Sequence, residues 1–163
     1  MKSAMQLAVC AGLISVAPAQ AQELLFGVGQ TQFFEDLSTD SALVSLEYRH
    51  KPFYERGRID VAWSAVGIAH FSGDAFLGGG LSARYTFNTQ WFVEASVMPG
   101  LFRENEEAND LGSAFEIRSL FAVGYAFKGG NRTSLAVSHK SNASTAQSNP
   151  GVNAVSLRWH HAF

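Results

Sequence analysis

Residues 138 to 153 read SHKSNASTAQSNPGVN, and within them His139 and Ser141 stand two positions apart. A histidine can take up a proton and a serine oxygen relieved of its proton can attack an acyl carbonyl, so the pair has the parts of a nucleophilic hydrolase. Two positions along a strand is one full side-chain period, which points both groups the same way. Asn153 lies beyond a stretch containing Pro150 and Gly151, residues suited to a loop. An amide at that place could accept a hydrogen bond from the imidazole and hold it in the tautomer a base requires. Whether the three groups meet depends on the elements that carry them.

Those elements alternate with period two. From residue 24, LLFGVGQ opens a first segment, and a second sets Ala42, Val44, Leu46 and Tyr48 against Ser45, Glu47 and Arg49. A third pairs Ile59, Val61, Trp63 and Ala65 with Asp60, Ala62 and Ser64, and a fourth has Leu77, Leu81, Ala83 and Tyr85 opposite Gly78, Ser82 and Arg84. The fifth (Trp91, Val93, Ala95, Val97 against Glu94 and Ser96) and sixth (Phe115, Ile117, Phe121, Val123, Tyr125 against Glu116 and Arg118) repeat the pattern. The seventh places His139 and Ser141 on the greasy face with Thr133, Leu135 and Val137. The eighth places Asn153 on the greasy face with Val155, Leu157 and Trp159.

Eight such strands suit a soluble lipocalin-like barrel with greasy faces inward, or a membrane barrel with greasy faces outward. Composition and placement favour the membrane. Charged residues make up only 16% of the chain, against about 25% in typical soluble domains. Aromatics sit near strand ends on the apolar faces, as interfacial girdles require. The opposite faces mix small residues with Glu94, Glu116, Arg84, Arg118 and Arg158, as a narrow lumen filled by ion pairs would, and the chain ends on outward Phe163. The expected architecture is therefore all-β, an eight-stranded antiparallel transmembrane β-barrel of the outer membrane. Connections at 88–90 and 128–131 are short and those at 102–114 and 142–152 long, which suits periplasmic turns and surface loops; HKPFYERG at 50–57 is lengthy for a periplasmic turn.

Residues 1–21 read as a signal peptide: Lys2 at the start, an apolar run from Leu7 to Val16 too short to span a bilayer, and Ala19-Gln20-Ala21 for cleavage. A lipoprotein reading through Cys10 is disfavoured by the preceding Val9. The barrel would occupy 22–163, exported to the bacterial cell outer membrane without any cysteine for a disulfide. A net charge of −2 gives no case for nucleic acid. No metal ligand cluster is apparent, since His50 and His70 stand alone and His160 and His161 point to opposite faces, and no cofactor is expected.

The run His139-Lys140-Ser141-Asn142-Ala143 followed by Asn149-Pro150-Gly151 resembles the signature of the lipid A 3-O-deacylase (PagL) family, and FEIR at 115–118 with VGYAF at 123–127 is also similar. The resemblance implies an outer-membrane serine esterase that hydrolyses the 3-hydroxyacyl ester at position 3 of lipid A, with lipopolysaccharide and outer-membrane lipids as partners and a homodimer as one option for assembly. It implies His139 as general base and Ser141 as nucleophile, with Asn142 and Asn149 shaping the site and the oxyanion surroundings; the backbone N–H groups freed where the strand ends at Asn142 and Ala143 are candidate oxyanion donors, and Pro150 and Gly151 would shape the loop. Asn153 stands where family members often carry a Glu, and an amide cannot neutralise imidazolium. Glu94 and Glu116 face the lumen, so a substitute carboxylate would come from Glu104, Glu106, Glu107 or Asp110, whose plainer reading is a solvated acidic loop. The competing reading for the whole chain is a non-enzymatic structural or adhesive barrel.

Overall fold

The computed structural model describes residues 22–33 and 38–163. The expected signal peptide and Cys10 lie outside the described residues. Among the described residues nine strands run β1 (Glu23–Phe33), β2 (Ala42–Arg49), β3 (Tyr54–Arg56), β4 (Ile59–His70), β5 (Ala75–Thr86), β6 (Trp91–Arg103), β7 (Phe115–Ala126), β8 (Arg132–Ser141) and β9 (Val152–Ala162). Sequence neighbours pair antiparallel except β2 and β3: β2 bypasses β3 to pair with β4, and β9 returns to β1. Because β2 and β3 both lie along β4, the closed barrel has eight staves.

That shared stave resolves the long connection at 50–57. Pro52 has no N–H to give a ladder, so regular pairing lapses after Arg49. The chain nevertheless stays on β4, with His50 N–H bonded to Trp63 O and Phe53 N–H to Val61 O, and re-forms as β3. The true reversal is a tight turn at Gly57, whose φ of 62° a glycine adopts without strain. Within 50–57, Tyr54–Arg56 are therefore strand laid along β4, and the turn itself is short.

Burial alternates along every long strand, with the greasy parity outside. Phe26, Val28, Leu46, Trp63, Leu77 and Leu157 are exposed, while Glu23, Glu47, Arg84, Glu94 and Arg158 are buried. A belt of bare hydrophobic side chains around the whole circumference suits only a bilayer. Aromatic rings ring its periplasmic edge: Trp91 and Tyr125 meet edge-on at 5.2 Å, and Phe127 stacks on Trp159 at 5.8 Å.

The interior has two layers, the ion-paired lumen expected and an apolar layer above it. Toward the periplasm, Arg84 bonds both oxygens of Glu23 at 2.7 Å and reaches Glu94 at 2.8 Å, and Arg158 takes the other Glu94 oxygen at 2.8 Å. Arg49 pairs with Asp60, and Arg132 with Glu23. Toward the outside, Phe33, Leu43, Ile68, Phe76, Phe102 and Val152 pack as an apolar plug under Leu111 of the β6–β7 loop. Outer loops are stitched above it by Asp74, which accepts from Asn105 N–H and Asn109 Nδ2, both at 2.7 Å. Burial would raise the Asp74 carboxyl, but these bonds, with those from Ser72 and the Glu106 N–H, outweigh it and hold the group below the ordinary aspartate range.

Glu94 is the shared acceptor of two buried guanidiniums. Replacing Glu94 with Ala is expected to cost about 3–5 kcal/mol in urea unfolding from lipid vesicles, because Arg84 and Arg158 each lose a carboxylate. A loss below about 1 kcal/mol would mean that the pair is screened as at a surface.

Candidate active site

Strand parity and register build the site. On β8, Ser134, Ala136, Lys140 and Asn142 are buried inward, so Leu135, Val137, His139 and Ser141 turn to the membrane side, the last two half-buried. At about 3.3 Å per residue and a tilt near 40°, Ser141 lies roughly 20 Å above Thr133, close to the outer rim of an apolar band about 25 Å tall. Pairing of β8 with β9 sets His139 directly opposite Asn153.

Across that pair, His139 Nδ1 meets Asn153 Oδ1 at 2.9 Å. An amide oxygen can only accept, so Nδ1 carries the proton and Nε2 is the basic nitrogen. The ring leans over Gly151: a Cβ built there would lie 2.9 Å from Cε1 and 3.4 Å from Nε2 of His139. Gly151 also has φ 73°, so both the backbone and the ring above it require glycine. Ser141, the last residue of β8, follows on the same face opposite Ile117 of β7.

The loop after Ser141 is held from inside the barrel. Asn142 is fully buried, and its Nδ2 donates to Leu111 O at 3.0 Å and Ser148 O at 2.7 Å. Its backbone N–H donates to Asn149 Oδ1 at 2.9 Å. This differs from the expectation that the Asn142 N–H would face a substrate oxygen, since a neighbouring side chain has taken it. Ala143 and Ser144 follow in the left-handed region, at φ 53° and 61°. Among the described residues the Ala143 N–H makes no hydrogen bond. Asn149 Nδ2 reaches only Ser144 Oγ, at 3.5 Å.

Two neighbours were not anticipated. Ser119 on β7 pairs with His139, and Gln32 on β1 pairs with Asn153, both with outward side chains. With Phe121, Val137, Val155 and others they line an open groove of about 540 Å³ on the membrane face. The available signal was a polar residue at a greasy parity position in each strand. Glu94 and Glu116 are buried in the lumen as expected, while Glu104, Glu106, Glu107 and Asp110 stand exposed in the β6–β7 loop. Among the described residues no three His, Cys, Asp or Glu side chains converge as a metal ion would need.

A closed eight-stave barrel with a greasy belt is a small outer-membrane barrel. Comparison with known proteins agrees. The chain belongs to the lipid A 3-O-deacylase (PagL) family, whose model matches residues 42–162. A lipid A deacylase PagL of Bordetella bronchiseptica is 30% identical over 81 residues, covering 49% of this chain and 46% of that protein, so the match spans about half the length of the curated relative. The crystal structure of the outer membrane enzyme PagL superposes with a TM-score of 0.68 at 23% identity, over 85% of this chain and 97% of that one. Neisserial surface protein A superposes at 0.57 with 12% identity, over 88% and 96%. Family and fold together assign the protein to the bacterial outer membrane.

Because a Cβ at Gly151 would collide with the imidazole, Gly151→Ala is expected to shift the His139 ring resonances in NMR spectra of the protein in micelles. The left-handed φ should cost about 1–2 kcal/mol as well. Unmoved ring resonances would show that the imidazole does not rest on this glycine.

Proposed function

We propose that this protein is a lipid A 3-O-deacylase, a serine esterase working in the outer leaflet on lipid A that never leaves its membrane. The observation that carries the reading is the 2.9 Å bond from His139 Nδ1 to Asn153 Oδ1 on the membrane side of β8 and β9, with Ser141 two positions on along the same strand face.

In the mechanism, Ser141 Oγ attacks the ester carbonyl while His139 Nε2 takes its proton. The tetrahedral oxyanion is met by the Ala143 N–H, left without a partner by the left-handed turn, and the side-chain amide of Asn149 supports the loop that presents it. Imidazolium then returns the proton to the departing sugar oxygen, leaving an acyl-enzyme. A water molecule, deprotonated by the same nitrogen, releases the 3-hydroxy fatty acid and restores the serine. Asn153 keeps the ring in register through this cycle but contributes no negative charge, so imidazolium is less stabilised than beside a carboxylate.

Expression in an outer membrane followed by mass spectrometry of lipid A tests the reading. The wild-type chain should remove one hydroxyacyl chain, and Ser141→Ala, folded to the same extent, should remove none. Unchanged lipid A with the wild-type barrel folded would favour a structural or adhesive barrel. Asn153→Glu should raise turnover, by roughly tenfold if the added charge contributes about 1.4 kcal/mol to the transition state. A fall would mean that the amide is itself the tuned partner.

A further inference from the structure

Two polar side chains beside His139 and Asn153 take no part in the proposed mechanism. Register draws Ser119, His139, Asn153 and Gln32 into one line across β7, β8, β9 and β1. One side-chain period deeper in the membrane, Phe121, Val137 and Val155 form a second line, and Val123, Leu135 and Leu157 a third. The groove thus has a polar lip and an apolar floor, the profile of an acyl chain that is polar only near its ester.

A hydroxyl gains nothing from hydrocarbon, and Ser119 is exposed on that side. Its one described bond, to His139 O, is 3.5 Å long, at the outer limit for such a contact. Ser119 is therefore a groove-lining hydroxyl with hydrogen-bonding capacity to spare.

We infer that Ser119 binds the 3-hydroxyl of the acyl chain being removed and makes the enzyme selective for 3-hydroxyacyl esters over unsubstituted ones; this rests on the deacylase reading above. Ser141 pairs with Ile117 and His139 with Ser119, which makes Ser119 the diagonal neighbour of Ser141. Diagonal neighbours in an antiparallel pair stand about 7–8 Å apart. A carbonyl carbon at an attack distance of about 3–3.5 Å from Ser141 Oγ has its 3-hydroxyl three bonds further on, which leaves a span that one hydrogen bond of about 2.8 Å to Ser119 closes. Gln32 is two strands from His139, about 10 Å, and lies beyond that span.

The experiment uses the full barrel in mixed micelles with two synthetic diacyl-glucosamine phosphates, differing only in whether the O-3 chain is 3-hydroxytetradecanoyl or tetradecanoyl. The wild-type protein should prefer the hydroxylated ester. Ser119→Ala should lose about 3- to 10-fold in kcat/KM on that ester alone, the range for one hydrogen bond. Ser119→Thr, which keeps the hydroxyl, should retain the preference. Equal loss on both esters, or an unchanged preference in a folded Ser119→Ala barrel, overturns the role of Ser119 while leaving the deacylase reading intact. Failure of the wild-type protein to cleave either ester removes both.

Discussion

In a bilayer every backbone N–H and C=O must find a partner within the protein, and a closed antiparallel ladder is the form that period-two strands can satisfy. Closure locks parity. A slip of one residue in β8 would turn Lys140 and Asn142 to the lipid and His139 to the lumen, exposing a cation to hydrocarbon. Lys140 instead lies inside, 3.3 Å from His70 Nε2 and over the Phe102 ring. The same constraint that seats Lys140 in the barrel therefore delivers His139 to its outer wall.

Two independent supports meet at that wall. From below, the apolar plug and the Asn142 bonds to Leu111 and Ser148 hold the β8–β9 loop in place from the lumen side. From beside, Asn153 and Gly151 on the next strand fix the direction and tilt of the ring. On the proposed function, a site assembled on rigid staves near the membrane rim would meet an ester where lipid already holds it, so no energy would go into extracting a glycolipid from its leaflet. On the dry side, Phe121, Val137 and Val155 give the same groove an apolar floor.

Much of this was legible in the sequence because alternation is a strong signal wherever one face is greasy. Ser134, Leu135, Ala136 and Val137 announce parity before His139 is reached, and Asn153 inherits its direction from Val155 and Leu157. The stave at 50–57 was obscured because Pro52 interrupts a ladder without ending it. The apolar plug was hidden because pairs such as Phe76-Leu77 and Leu101-Phe102 put hydrophobes on both faces, which alternation cannot divide. Ser119 and Gln32 depend on register between strands far apart in the chain, and the capture of the Asn142 N–H by Asn149 depends on loop closure. Neither is written in any single segment.

The account turns on a serine made nucleophilic by a histidine at the lipid face. Incubating the folded barrel with a long-chain alkyl fluorophosphonate and mapping the adduct by peptide mass spectrometry examines that directly. One adduct on Ser141, lost in a His139→Ala barrel, is the predicted result. An unmodified Ser141, or labelling indifferent to His139, would contradict it.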